Sequence, residues 1–293
     1  MNGKKVLDHL IRLFVVLNIV LWIFNYVSQK NEYSVPEERM EQIVQLLDKK
    51  GITVEGNLTR DFKPKNIADL QYISEDIAIR EEIVKSFFGN KLASVKRLRQ
   101  ESVLNPGEEM RLYVLKDETL IFDKYALGYE NLTYEKEGAK PSVEQAKKMC
   151  NELLKRIGYE QKELEYEIEV IEHPHYLTLT YYPKLEGIPV LDASRSFEVY
   201  EKGVARGTLY LGNIEVTSEK GKDIYPIDLM LFGMEEKLIE YGATEITDIT
   251  LVYKRSKSED SIWGQQIIPM YKIEAKGLEE ALFVNAYSNE LME

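Results

Sequence analysis

The chain has 293 residues, 50 of them acidic and 38 basic, for a net charge of −12 at pH 7. Residues 1–30 carry four basic residues and one acidic residue, so a charge of −15 belongs to residues 31–293. A body this acidic is repelled by nucleic acid and by anionic lipid headgroups, which excludes nucleic acid as a partner. The hydrophobic fraction of 44% excludes a disordered chain, and one cysteine, Cys150, excludes an internal disulfide.

An apolar segment lies near the start. From residue 10 to residue 27 only Arg12, Asn18 and Asn25 are polar or charged. A helix over this segment would measure about 27 Å at about 1.5 Å per residue, close to the thickness of a bilayer core. We predict a transmembrane helix over residues 10–27. Basic residues before it place residues 1–9 in the cytoplasm and the rest of the chain outside the cell.

Two alternatives remain for this segment. It could be a signal peptide that is removed, but Phe24 to Ser28 (FNYVS) lacks the small-x-small pattern of a cleavage site. It could also be a buried helix of a soluble protein. The uncleaved anchor is the preferred interpretation.

The predicted anchor carries a candidate partner-binding face. Asn18 and Asn25 are seven residues apart, so they lie on roughly one side of a helix, with Trp22 between them. An asparagine amide in hydrocarbon gains about 0.6–2 kcal/mol from a hydrogen bond to a second helix. We therefore predict that Asn18, Trp22 and Asn25 bind a partner helix in the membrane.

The remaining sequence predicts helices followed by antiparallel strands, three times over. Ser34, Ser74 and Ser142 precede the expected helices, and a fourth start is expected near Ile227. Alternating strands such as LTLTY favour an α+β fold rather than a parallel α/β sheet. The linker-like stretch EKEGAKPS divides the outer region into a membrane-proximal domain, 28–138, and a C-terminal domain, 139–293.

Residues with catalytic or metal-binding chemistry form no recognisable motif. His173 and His175 could supply two metal ligands, but no third ligand accompanies them in a motif. Glutamates alternate at 163, 165, 167 and 169, as on a solvated strand face. Cys150 lies on the apolar side of its helix. We predict a non-enzymatic protein without cofactor or metal.

Three stretches of the sequence resemble the YycI family of regulatory membrane proteins. They are the anchor VVLNIVLWIF, the strand pair YYPKLEGIPVLDASRSFEVYEKG, and the ending IPMYKIEAKGLEEALFVNAYSNELME. The resemblance covers nearly the whole chain, and it extends to the C-terminal part of the companion family YycH. The ending is also similar to small PepSY-type domains. The chain departs from the family near its start, where KKVLDH stands without the usual tryptophan.

The resemblance implies a regulator in the envelope of Gram-positive bacteria with one transmembrane helix and an extracytoplasmic α+β region. Such proteins assemble with YycH and with the sensor histidine kinase of the YycG (WalK) two-component system, and they typically restrain it. The family has no catalytic residues to transfer to this chain. The alternatives are an anchored envelope module, such as a PepSY-like protease modulator or a cell-wall ligand binder, and a divergent wall hydrolase.

Overall fold

The computed structural model describes residues 11–22, 32–56, 58–74, 76–101, 109–135, 139–158, 165–217, 220–256 and 265–292. The helices are α1 (residues 11–22), α2 (Glu37–Lys49), α3 (Ile77–Phe88), α4 (Val143–Ile157) and α5 (Ile227–Glu240). Short 3₁₀ helices cover Gly89–Ser94, Leu132–Tyr134 and Leu191–Ala193.

The strands are β1 (Thr53–Val54), β2 (Ala68–Tyr72), β3 (Lys96–Glu101), β4 (Glu109–Leu115), β5 (Glu118–Phe122), β6 (Ala126–Glu130), β7 (Tyr166–Glu172), β8 (Leu177–Leu185), β9 (Ile188–Pro189), β10 (Arg195–Tyr200), β11 (Gly203–Tyr210), β12 (Gly212–Val216), β13 (Glu245–Arg255), β14 (Gln266–Lys276), β15 (Leu282–Asn285) and β16 (Leu291–Met292). Helices and mostly antiparallel strands confirm the predicted α+β class.

The helix signals act through identifiable hydrogen bonds. Ser142 accepts from the backbone N–H of Gln145, whose side chain accepts from the Ser142 N–H, which confirms the capping box of α4. Gly158 ends α4 with φ of 73°, a left-handed conformation that glycine adopts without strain. The predicted cap of α2 is wrong, because Pro36 occupies the cap position and no side chain caps the helix. At α3 the cap is Asp76, which accepts from the N–H groups of Ala78 and Ile79.

The chain divides into two compact units, each assembled from separate segments. We call Met1–Lys65, Lys220–Thr250 and Met270–Glu293 the terminal unit, and Asn66–Glu219 with Leu251–Pro269 the central unit. The predicted boundary between residues 138 and 139 falls inside the central unit. Linker composition could not indicate this division, because pairing between strands distant in sequence creates it.

The central unit contains a nine-stranded antiparallel sheet with the order β3-β4-β5-β6-β11-β10-β8-β7, and β9 pairs with β8. Helices α3 and α4 pack on one face of this sheet. Their apolar residues, including Phe87 and Leu153, share one buried cluster with strand residues such as Leu120, Leu179 and Phe197. Strand β2 pairs with β12 and with the start of β14, and Leu70 and Tyr253 lie in a second buried cluster there. Hydrophobic burial on this scale is the main stabilising term of the unit.

The terminal unit combines α2 and α5 with strands β1, β15 and β16 and parts of β13 and β14. Strand β1 runs parallel to β13, pairing Thr53 with Glu245. The C-terminal part of β14 pairs with β15, which pairs with β16. Helix α2 packs against α5 and β1. It buries Met40, Ile43 and Leu47, as the helical spacing of these residues predicts.

Candidate partner-binding site

The side chains of helix α1 are mostly apolar and all exposed. Its large apolar side chains are between 50% and 68% exposed, with Leu13, Phe14 and Trp22 the most exposed. A soluble helix normally buries an apolar stripe and shows a polar one to water. An apolar surface on every side is favourable only where lipid or a partner protein covers it.

The structure places two of the three predicted contact residues on this helix. Asn18 donates through Nδ2 to the carbonyl oxygen of Phe14, 2.8 Å away, so one amide N–H is satisfied within α1. The amide has a second N–H and an acceptor oxygen that a neighbouring helix could engage. Trp22 follows Asn18 by one helical turn and lies on the same side of α1. Asn25 lies outside the described residues.

The described part of the apolar segment is shorter than the predicted anchor. Residues 11–22 form about 18 Å of helix at about 1.5 Å per residue. Residue 10 and residues 23–27 of the prediction lie outside the described residues. Within the part of the chain that the structure describes, no helix has the length and apolarity needed to cross a bilayer.

A groove of about 490 Å³ lies between α2 and α5 in the terminal unit. We call it the α2–α5 groove. Leu46, Leu229 and Phe232 contribute apolar surface, and Arg39 and Lys49 contribute positive charge. The remaining lining residues are Gln42, Ile43, Gln45 and Asp228. The mixture of apolar walls with a few charged groups is typical of sites that bind a peptide or a helix.

An ion pair lies in the wall of the groove. The Arg39 Nε donates to Oδ2 of Asp228 at 2.8 Å, and Nη2 lies 2.5 Å from the same oxygen. The Asp228 side chain is 7% exposed, whereas that of Arg39 is 43% exposed. Asp228 is also in the first turn of α5, where the helix dipole favours a negative charge. Burial, and then the Asp228 charge, raises the pKa of Tyr271, so this carboxylate acts on the core of the unit.

Helix α5 carries apolar residues on two faces. Ile227, Met230, Leu231, Met234 and Leu238 are buried, at the spacing of a core-facing helical stripe. Leu229, Phe232 and Ile239 are 44%, 60% and 43% exposed on the other side. This second face could not be recognised from helical spacing alone, because the spacing indicates only the stripe that faces the core. The signal was present in the run IDLMLF, which is too apolar for a helix with one solvated side.

A second cleft, of about 560 Å³, lies on the other side of α2. Its apolar lining includes Met40, Val44, Val54 and Leu58. Its charged lining consists of Glu37, Glu41 and Arg60. Arg60 and Glu37 form an exposed ion pair at 3.3 Å. Helix α2 therefore has an open cleft along each flank.

The histidine pair makes contacts typical of a strand connection. The His173 ring stacks on Tyr176, with 4.1 Å between centroids, and its Nε2 lies 3.1 Å from the Thr178 hydroxyl oxygen. His175 is exposed. Among the described residues, no three His, Cys, Asp or Glu side chains are grouped so that they could hold a metal ion.

The glutamates of β7 and Cys150 lie in different surroundings. Glu167 pairs with Lys184 at 3.1 Å, and Glu169 accepts from the Tyr182 hydroxyl at 2.9 Å. Glu163 lies outside the described residues. Cys150 is fully buried, as predicted, and burial raises the pKa of its thiol to about 12. A thiol with so little thiolate at neutral pH is a poor nucleophile.

Comparison with known proteins identifies a shared fold but no family. No protein-family model matches the chain. No curated protein matches it either. The crystal structure of an uncharacterized protein from Eubacterium rectale ATCC 33656 is similar, with a TM-score of 0.53 and 13% identity, over 87% of this chain and 98% of that one. The Bacillus megaterium YpeB C-terminal domain is also similar, with a TM-score of 0.41 and 11% identity, over 76% of this chain and 97% of that domain. The resemblance to YycI therefore stays a prediction.

Proposed function

We propose that this chain is a membrane-anchored, non-enzymatic regulator that binds a YycH-like membrane protein and a YycG/WalK-like sensor histidine kinase and restrains the kinase. The observation that carries the proposal is the exposed apolar surface of α1, with every large apolar side chain at least half exposed. The sequence resemblance to the YycI family supplies the identity of the partners. In this proposal the anchor spans residues 10–27 and the acidic remainder lies outside the cell.

Regulation in the proposal works by unequal affinity for two kinase states. A bound helix changes the balance between active and inactive states only if it binds one of them more tightly. A difference of about 1–3 kcal/mol changes that balance by a factor of about 5 to 150. Asn18 can provide part of this difference, because its second amide N–H would be paired in one helix arrangement and unpaired in the other.

The contacts of the chemistry-bearing residues agree with a non-enzymatic role. Glu167 and Glu169 are engaged in contacts along the sheet, and the His173 ring is stacked on a tyrosine. The thiol of Cys150 is buried. These groups have structural surroundings, so the proposal assigns the function to binding surfaces.

A second candidate function is an envelope binding module, either a PepSY-like protease modulator or a cell-wall ligand binder. The α2–α5 groove favours this candidate, because Leu229 and Phe232 expose apolar surface beside Arg39 and Lys49. A partner would then contact the terminal unit outside the membrane rather than α1 within it.

Site-specific photocrosslinking in native membranes separates the two candidates. A crosslinker replacing Asn18 or Asn25 is expected to capture the kinase or the YycH-like protein, whereas one at Val20, on the opposite side of α1, is the matched control. The double variant Asn18→Leu/Asn25→Leu is expected to raise kinase output by about 5-fold or more, in line with a coupling of about 1 kcal/mol.

The same crosslinking experiment can also contradict the proposal. If neither position captures either protein and the double variant leaves signalling unchanged, the helix-recognition mechanism fails. Capture of a protease or wall polymer by a crosslinker at Phe232, abolished by Leu229→Ser, would favour the second candidate. Ile77→Ser, which changes an exposed apolar residue of the central unit (65% exposed, against 44% for Leu229), is the control for that substitution.

A further inference from the structure

The two edge strands of the nine-stranded sheet carry opposite charges. Strand β3 reads KRLRQE, with Lys96, Arg97 and Arg99 among its first four residues. Strand β7 reads YEIEVIE and carries three glutamates. Among the described strands β3 pairs only with β4, and β7 pairs only with β8, so each leaves one backbone edge for another strand.

Both edges are accessible and also carry apolar side chains. All six residues of β3 are exposed, as are five of the seven in β7. Leu98 on β3 is 52% exposed, and Ile168 and Ile171 on β7 are 39% and 47% exposed. An edge strand that combines a backbone edge with exposed apolar side chains is a template for strand addition.

The charges select which edges can meet. Two β3 strands would bring basic side chains together, and two β7 strands would bring glutamates together, and like charges across a strand pair are destabilising. A β3 strand against a β7 strand instead places Lys96 on the same face of the sheet as Glu167 and Glu169, and Leu98 on the same face as Ile171. Charged edges commonly prevent aggregation, but here the protection acts only between identical edges.

Strand direction allows the opposite edges to pair. The seven strand pairings that lead from β3 to β7 are all antiparallel, so β3 and β7 run in opposite directions. When a second copy continues the sheet of the first beyond β7, the β3 strand of the second copy therefore runs antiparallel to the β7 strand of the first. The faces covered by α3 and α4 then lie on the same side in both copies.

We infer that copies of this chain associate through their sheet edges, with β3 of one copy adding to β7 of the next. The contact is between different surfaces of the two copies, so it repeats and forms a row rather than a closed dimer. Opposite charges and the apolar contacts of Leu98 with β7 stabilise it. This association does not depend on the proposed regulatory function or on α1.

Charge reversal on each edge tests the association. The β3 variant is Lys96→Glu, and the β7 variant is Glu167→Lys/Glu169→Lys, which change residues on the same face of the sheet. Arg97 is left unchanged because it binds Glu81 through two hydrogen bonds. The matched control for the β3 variant is Lys148→Glu, which changes the net charge equally on the exposed side of α4.

Sedimentation velocity of the full chain in a neutral detergent, over a concentration series, gives the readout. The wild type and the α4 control are expected to self-associate, and added salt should weaken this. Each edge variant alone should associate at least about tenfold more weakly, and mixing the two variants should restore association, because each then finds opposite charge. A monomeric wild type, or association that neither edge variant weakens, overturns the inference. Association through α1 would give the second outcome, since every variant retains α1.

Discussion

Exposed apolar side chains are distributed differently in the central and terminal units. In the central unit they are scattered over several elements, for example Ile77 on α3, Leu98 on β3 and Val216 on β12. In the terminal unit, apart from α1, they gather on α5 and at its two ends, at Tyr225, Leu229, Phe232, Ile239 and Tyr241. Single exposed apolar residues are normal on any protein, whereas Leu229 and Phe232 line one groove, as at an interaction site.

Two ion pairs, one from each unit, differ in their burial. Arg97 with Glu81 in the central unit are 55% and 38% exposed. In the terminal unit, Asp228 is buried and depends on Arg39, a residue of the groove wall. The central unit also buries charge, since Arg80 and Arg195 are 4% and 5% exposed, but its Arg97–Glu81 pair lies in water. The terminal unit places a buried charge beside its open groove, so ligand binding there can act on stability.

The largest expected effect tests the closed packing of the central unit. A Cβ atom at Gly212 would overlap with the carbonyl oxygen of Gln71 and the hydroxyl of Tyr210. Because the first of these is backbone of the paired strand β2, Gly212→Ala should lower the free energy of unfolding by about 3 kcal/mol. Urea unfolding of the chain in a neutral detergent measures this.

Gly187→Ala is the control for that substitution. Gly187 has a φ of +78° with open space around its Cβ position, so the change adds only backbone strain of about 1 kcal/mol. Equal effects of the two substitutions would show that β2 and β12 are not packed as closely as described.

An intermediate effect compares the ion pairs. Arg39→Ala should destabilise the chain by about 2 kcal/mol, because it leaves the buried Asp228 carboxylate without its cation. This value is below that of a fully buried pair, since Arg39 is partly solvated. Arg97→Ala should cost less than about 1 kcal/mol. Urea unfolding curves of both variants measure the contrast, and it is refuted if Arg97→Ala has the larger effect.

The smallest effect concerns the buried thiol of the central unit. Burial raises the pKa of Cys150 from 9.0 to about 12, so the folded state holds this proton more tightly than the unfolded state. The stabilisation of the folded state by the protonated Cys150 thiol is complete below pH 9 and is lost as the pH rises from 9 towards 12. Between pH 9 and 10 the loss is about 1 kcal/mol.

Unfolding free energies of wild type and Cys150→Ala across this pH range measure the effect. The wild type should lose stability more steeply than the variant, since the buried tyrosines are common to both. Parallel pH profiles would mean that the thiol is more accessible than its burial indicates.

Local signals predicted the elements better than their assembly. Ser142, Gln145 and Gly158 predict α4 because a capping box and a left-handed glycine act within a few residues. Strand β2 has no local signal of this kind, because Ala68–Tyr72 becomes a strand through pairing with β12, far away in sequence. The division into units was missed for the same reason.

The part of the candidate site on α1 could be proposed from the sequence, because its residues differ from their neighbours in polarity. Asn18 and Trp22 are visible in sequence because polar and aromatic residues interrupt an apolar run. The α2–α5 groove was not, because Arg39 and Asp228 meet across 189 positions of sequence. Leu229 and Phe232 look like core residues until the fold shows that the interior is already filled by other residues of α5.

The parallel pairing of β1 with β13 determines when the terminal unit can form. The backbone N–H of Thr53 donates to the carbonyl oxygen of Thr244, 3.0 Å away, although 191 positions separate the two residues. During synthesis, α2 and β1 leave the ribosome long before β13. By the time β13 emerges, residues 66–219 of the central unit have already been made. Contacts this distant in sequence form late. A chain interrupted before residue 227 would lack α5 and β13 and would therefore present α2 with its apolar side uncovered, a surface that chaperones and proteases recognise.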